Sequence, residues 1–307
     1  MLFKGRKFSF TPENPAIMGI LNVTPDSFSD GRVDFHSKME ALLSEPPDIV
    51  DIGGESTRPG AVCIPPEIEL ERVLPAVREI RSAFPDILIS IDTRKSAVAR
   101  AALEAGADIV NDVSCLHFDP ALADTAAEYS AGLILNHSRG TPETMNLPEN
   151  LSYPAGLQEM VRDELKEAAE FAISRGVRKE SIILDPGFGF GKNTQQNIAL
   201  LKNPALLLSL GYPLLSGPSR KRFIGELTGE EEPLERDYGT CGAVIASVLS
   251  GYSILRVHNV KAQYLFNEVF LEKEVCKADT EQYDGCRLFI IDKQIFNHRR
   301  YSLSRTG

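Results

Sequence analysis

Short apolar runs that close on polar residues alternate with longer amphipathic stretches from one end of the chain to the other. The apolar runs fall at 17–22, 49–52, 87–92, 108–111, 132–137, 181–185, 212–216 and 253–258, and each is the length of a buried strand. Between them, 67–83, 95–105 and 157–175 carry apolar residues at three- and four-residue spacing, the period of a helix with one face on a core. Gly176 supplies a stop after the last of these. Strand and helix alternating in this way predict a parallel sheet, and eight such units in about 250 residues fit a closed (β/α)8 TIM barrel.

The expected organisation is an N-terminal segment at 1–14, a single barrel domain at 15–270 and a C-terminal extension at 271–307. The extension has one short apolar run, LFII, and no clear period. A doubly wound open sheet is the alternative. That fold usually carries GxGxxG after its first strand, and none follows Asn22.

Composition narrows the partners. The chain has 307 residues and a net charge of -10, which argues against nucleic acid or an anionic membrane, since both recruit clustered Lys and Arg. No apolar stretch approaches the roughly 20 residues that span a bilayer, and MLFKGRKFSF lacks the apolar run of a signal peptide. Five scattered cysteines without a CxxC pair indicate neither a disulfide framework nor a zinc site. A cytoplasmic location is expected.

A barrel of this kind works at the C-terminal ends of its strands, and every predicted strand end here is polar. Asn22 leads into VTPDSFSDG and Asp51 into GGESTRPGA. Asp92, Asn111 and Asp112, then Asn136 and His137, close the next three strands, Asp185 leads into PGFGFGK, the seventh strand into SGPSRKRF, and the eighth holds Arg256 and His258. The GFGFGK run lacks the GxxxxGK[ST] spacing of a nucleotide loop. NVTPDSFSDG, DIGGESTRPGA, SIDT, VNDVS, DPGFGFGK, SRKRF and RVH resemble, in this order, the signature blocks of dihydropteroate synthases across roughly residues 15 to 270.

The resemblance implies a transferase of folate biosynthesis, joining 6-hydroxymethyl-7,8-dihydropterin diphosphate to p-aminobenzoate and releasing diphosphate. Asp92, Asn111 and Asp185 can read the donor and acceptor edge of a pterin, a carboxylate taking two N–H bonds at once. Lys221 can donate to the ring, and Arg256 can lie over it while facing a phosphate. An Asp after a barrel strand can also be a helix cap, and Asp112 is read as structural.

For the diphosphate the resemblance implies Asn22, Thr57, Arg58, Arg256 and His258, with Asn22 as the one protein ligand of Mg²⁺. For p-aminobenzoate it implies walls of Phe28, Pro59 and Phe188, with Ser219 near the carboxylate. Sulfonamides, which mimic p-aminobenzoate, are expected to bind there, and a homodimer is expected through outer helices near the C-terminal part of the barrel. Three departures from the family pattern stand out: a short segment before Pro46-Pro47, Asn136 with Ser138 in the fifth block, and Asn259 where the family usually has Asp. They keep open a pterin-binding paralogue with weak or no synthase activity. A pterin methyltransferase is the remaining alternative.

Overall fold

In the computed structural model, residues 1–23, 35–58 and 60–271 are described. Eight parallel strands form the sheet: β1 (Ala16–Asn22), β2 (Ile49–Gly53), β3 (Leu88–Asp92), β4 (Ile109–Asp112), β5 (Gly132–Asn136), β6 (Ile182–Asp185), β7 (Leu215–Ser216) and β8 (Ile254–Val257). Each of β1 to β5 pairs with the next, β8 pairs with both β1 and β7, and a parallel bridge between Leu184 and Leu214, next to β7, closes the ring. Closure rules out the open sheet. The seventh strand is shorter than its apolar run because Pro213, just before the bridge, has no N–H to offer a neighbour.

Helices cover the outside: α1 (Phe35–Leu43), α2 (Pro66–Ala83), α3 (Ser96–Ala105), α4 (Ala121–Glu128), α5 (Leu157–Ser174), α6 (Thr194–Lys202), α7 (Ala205–Leu208), α8 (Arg222–Thr228), α9 (Asp237–Ser250) and α10 (Val260–Leu271). Several ends are set locally. Pro66 opens α2 at a position that needs no N–H donor, and Asn193 with Gln196 makes a reciprocal capping box on α6. Gly19 lets α1 and α10 lie close to β1, since a Cβ there would sit 2.7 Å from Leu42 and 2.9 Å from Val260.

The two-residue period of the strands sorts their side chains into two cores. Ile17, Val50, Ile52, Ile89, Ile91, Val110 and Leu133 face the helices. The alternate residues Met18, Ile49, Leu88, Ile109, Ile134, Ile183, Leu215 and Ile254 fill the lumen. A hairpin at Leu2–Phe3 and Arg6–Lys7, absent from the expectations for 1–14, plugs that lumen with the Phe3 ring. Gly132 makes room for it, because a Cβ there would lie 2.8 Å from the ring. The same alternation carried two residues further along each strand brings Asp51, Ser90, Asn111, Asp185 and Arg256 to the lumen above the apolar layer.

Candidate active site

Arg256 stands at the centre of this polar layer. Its Nε donates to Asp51 Oδ2 at 2.7 Å and its Nη2 to Asp92 Oδ2 at 2.7 Å. Asn111 Nδ2 donates to the same Asp51 oxygen at 3.1 Å, and Asp51 Oδ1 is buried without a partner. Asp92 is therefore no helix cap; the N–H of Ser96 at the start of α3 goes to Asp119 at 2.7 Å. Burial, against the pull of Arg256 and helped by Asp51, Glu69 and Asp112, pushes the Asp92 carboxyl up to about 7.

Asp185 lies across the lumen. The point where a Cβ would stand on Gly217 is 3.8 Å from both Asp185 Oδ2 and the Arg256 Cβ, so the missing side chain leaves space between them. Gly187 N–H donates to Asp185 Oδ1 at 2.7 Å, and burial raises its carboxyl above the usual value. Lys221 Nζ donates to the Phe188 carbonyl and lies 4.4 Å from the centre of the Phe190 ring. Burial draws Lys221 down to about 8, with Asp185 opposing. Two carboxylates that burial leaves short of protein partners can receive N–H donors from a ligand.

Of the residues expected around diphosphate, Asn22, Arg58, Arg256 and His258 lie along the rim on the β1, β2 and β8 side, and Thr57 faces the other way. Asn22 Oδ1 and the Asp92 side chain both come within 4 Å of the point where a Cβ would stand on Gly53. His258 Nδ1 meets Ser219 Oγ at 2.9 Å; burial, with the Arg220 and Arg256 cations, pushes the imidazole down to about 3 and keeps it neutral. Arg58 is exposed and contributes to the charge felt by His258. Thr57 lines a cleft with Arg94, Ser114, Ser138, Arg139 and Phe190, among the loops that follow β2 to β6.

One expected wall residue is corrected. Phe188 is 0% exposed and packs against Phe223 and Tyr252 at ring separations of 6.1 and 6.0 Å, so its ring belongs to the core and cannot line a pocket. Its neighbour Phe190 faces the cleft instead. Phe28 and Pro59 lie outside the described residues. Ser219 is at the mouth, but its hydroxyl is engaged with His258 on both the ring and the backbone N–H.

Some residues of the site were not singled out from sequence. Asp51 closes the second strand, and counting two from the lumen residue Ile49 points it inward. Lys95 Nζ bridges Glu55 at 2.6 Å and Glu69 at 2.5 Å, and Arg94 Nε holds the same Glu55 at 2.9 Å. Glu55 Oε2 also accepts the Ile64 N–H at 2.9 Å, so this buried cluster ties down both ends of the loop bearing Thr57 and Arg58. Arg220 adopts a left-handed backbone, φ 57°, held by two bonds to Asp237 at 2.6 and 2.8 Å and one to Thr240 at 3.1 Å. That geometry delivers Lys221 to the lumen. As expected, Asp112 is structural, accepting the Ser114 and Leu116 N–H groups at 2.8 and 2.6 Å.

The family model for pterin binding enzymes matches residues 18–258, the whole barrel. A dihydropteroate synthase of Synechocystis is 45% identical over 252 residues, covering 80% of this chain and 86% of the relative. The chain belongs to the dihydropteroate synthase family. A Xanthomonas albilineans dihydropteroate synthase solved in complex with 7,8-dihydropteroate superposes with a TM-score of 0.74 at 37% identity, over 83% of this chain and 92% of that one. A Yersinia pestis dihydropteroate synthase solved with a sulfonamide drug gives 0.79 at 35% identity, over 88% and 96%. In this member the carboxylates, the lysine and the arginine of the family blocks converge on one mouth, at the end of the barrel where this fold performs catalysis.

Proposed function

We infer that the chain condenses 6-hydroxymethyl-7,8-dihydropterin diphosphate with p-aminobenzoate to give 7,8-dihydropteroate and diphosphate. The observation that carries this is the Arg256 cluster with Asp51, Asp92 and Asn111, facing Asp185 and Lys221 across one lumen. Asp185, Asn111 and Asp92 take the donor and acceptor edge of the pterin, Lys221 donates to its ring, and Arg256 covers it. The arylamine nitrogen forms a bond to the exocyclic methylene, the carbon–oxygen bond to diphosphate breaks, and the amine gives up a proton to water. Positive charge developing on the methylene is favoured by the Asp92 and Asp185 carboxylates. No protein nucleophile is needed; the chain supplies position and charge.

Asn22 offers an amide oxygen, the hard donor that Mg²⁺ accepts, on the rim beside Asp92. Among the described residues no group of three or more His, Cys, Asp or Glu side chains could hold a metal, and Asn22 would be the side chain that holds this one. Bound there, Mg²⁺ would supply positive charge to the diphosphate as it departs. Thr57, Arg58, Arg256 and His258 hold the rest of the anion, His258 as a neutral donor. For p-aminobenzoate, Phe190 and Lys221 take over the place first given to Phe188, with Ser219 near the carboxylate and Phe28 and Pro59 retained as walls. Sulfonamides compete at the same place.

A homodimer is proposed through Leu227, Leu234 and Tyr238, exposed apolar residues on and between α8 and α9. The cytoplasm remains the proposed compartment, on the acidic charge and the scattered cysteines; among the described residues no helix is long and apolar enough to cross a membrane. The decisive experiment incubates the purified chain with the pterin diphosphate, radiolabelled p-aminobenzoate and Mg²⁺, then separates dihydropteroate by chromatography. Product that requires all three components is expected, with loss in EDTA and recovery on returning Mg²⁺. No label in a pterin product would overturn the reading and favour the paralogue.

A further inference from the structure

The turn after β6 touches two of the proposed pterin groups, Asp185 and Lys221. Gly187 N–H holds Asp185, the Phe188 carbonyl receives Lys221, and the Phe190 ring lies against the same ammonium. Gly187 has φ +71°, and a Cβ on it would lie 1.8 Å from the His137 carbonyl oxygen, so the turn is pressed against the end of β5. Beneath it is Lys192, the lysine of GFGFGK, only 4% exposed and aimed inward rather than at the mouth.

Lys192 Nζ reaches the Gly187 carbonyl at 3.0 Å, the Phe190 carbonyl at 3.0 Å, His137 Nδ1 at 2.9 Å and the His137 carbonyl at 3.3 Å. An ammonium has donors only, so His137 Nδ1 must accept and its Nε2 carries the proton. That Nε2 meets Glu164 Oε2 at 2.8 Å, and Arg139 holds the other oxygen of the same carboxylate. A chain of hydrogen bonds thus runs from Arg139 through Glu164 and His137 to Lys192 and the turn. Filling this space requires no charge; a methionine has nearly the same length, and burying an ammonium is costly. What the charge adds is a fixed position for two carbonyls of the turn.

We propose that Lys192 is a positioning residue for the pterin: its ammonium, set by His137 and Glu164, fixes the Gly187 to Phe190 turn and thereby places the Asp185 carboxylate and the Lys221 ammonium. The inference rests on the pterin site proposed above. It places no demand on the diphosphate rim, which is carried by the loops after β1, β2 and β8.

Three variants test it: Lys192→Met, Glu164→Gln and, as a reference for the site itself, Asp185→Asn. Thermal melts establish folding, and titration calorimetry measures 6-hydroxymethylpterin and Mg²⁺-diphosphate separately. Folded Lys192→Met is expected to bind the pterin about tenfold more weakly and diphosphate within about twofold of the wild type, with Glu164→Gln losing about threefold for the pterin alone. Pterin affinity within about twofold of wild type in Lys192→Met, or equal losses for both ligands, overturns the proposal. Should Lys192→Met fail to fold, Glu164→Gln decides, and unchanged pterin binding there overturns it. If Asp185→Asn binds the pterin normally, the pterin-site reading fails; if Asp185→Asn loses binding while Lys192→Met keeps it, only the role of Lys192 fails.

Discussion

Arg256 and Asp51 face each other inside the barrel, with the guanidinium Nε 2.7 Å from a carboxylate that has no exposure to solvent. The second arm of the guanidinium reaches Asp92 at the same distance. A planar fork can satisfy two carboxylates at fixed angles, whereas a lysine ammonium is a single point of charge. Arg256→Met strands Asp51 and Asp92, and removing one partner of a buried ion pair costs about 3–5 kcal/mol of stability, read in urea unfolding. Arg256→Lys keeps a charge without the fork. We expect it to fold with a smaller loss of stability and to lose about 100-fold in kcat/KM for the pterin diphosphate, measured in the synthase assay.

The site's ionisations set a narrow working range. Asp92 must be a carboxylate to accept pterin N–H groups, and it ionises at about 7. Lys221 must be an ammonium to act as a cation toward the ring, and it loses its proton at about 8. Activity therefore rises with pH through the first group and falls through the second, and kcat/KM reports these ionisations in the free protein. A bell centred between them is expected for kcat/KM of the pterin diphosphate. Lys221→Arg moves the alkaline limb upward because a guanidinium stays charged; an alkaline limb unmoved in that variant would assign it to another group.

The barrel was legible because strand ends and amphipathic helices repeat with fixed periods, and because Asp92, Asn111, Asp185, Lys221 and Arg256 each close or follow a strand. The role of Asp51 is not legible from its own strand, since it depends on Arg256, 205 positions away in sequence. The hairpin around Phe3 is not legible because two-residue strands carry no period and its bonds, to Asp108, Ser130 and Ser181, are with residues more than 100 positions away in sequence. Phe188 and Phe190 could not be told apart: they sit in a turn between left-handed glycines, φ 71° at Gly187, 79° at Gly189 and 66° at Gly191, where strand alternation no longer applies. Lys192 carries no signal of its own in GFGFGK beyond the missing nucleotide-loop spacing. Its inward direction is set by the same glycines.

Asn259, the departure that first cast doubt on the eighth-strand block, has a defined place. Its Nδ2 donates to Asp237 Oδ2 at 2.9 Å and its Oδ1 accepts the Ala262 N–H at 3.0 Å, capping α10. Burial works against the Asp237 carboxylate, but Arg220 and Asn259 hold its pKa below the usual value. Asn259→Asp keeps the cap and sets a second carboxylate against the first, so a loss of about 1 kcal/mol is expected at neutral pH. The penalty requires both groups to be ionised and should vanish as pH falls to about 4 and below, where one of them takes a proton. Urea midpoints at pH 7 and pH 4 check both statements.

Phe188 and Phe190 make opposite predictions from adjacent surroundings. Truncating a fully buried ring leaves a cavity between Phe223 and Tyr252, and Phe188→Ala should cost about 3–5 kcal/mol. The Phe190 ring is half-buried, borders the cleft and lies under the Lys221 ammonium. Phe190→Ala should cost less than about 1.5 kcal/mol in stability while raising the KM for p-aminobenzoate about tenfold, through loss of apolar contact and of the ring beneath Lys221. Its KM for the pterin diphosphate should change far less, since the Asp185 and Asn111 contacts are untouched. A Phe188→Ala protein of normal stability with a selectively raised KM for p-aminobenzoate would reverse the assignment and put the Phe188 ring in the pocket.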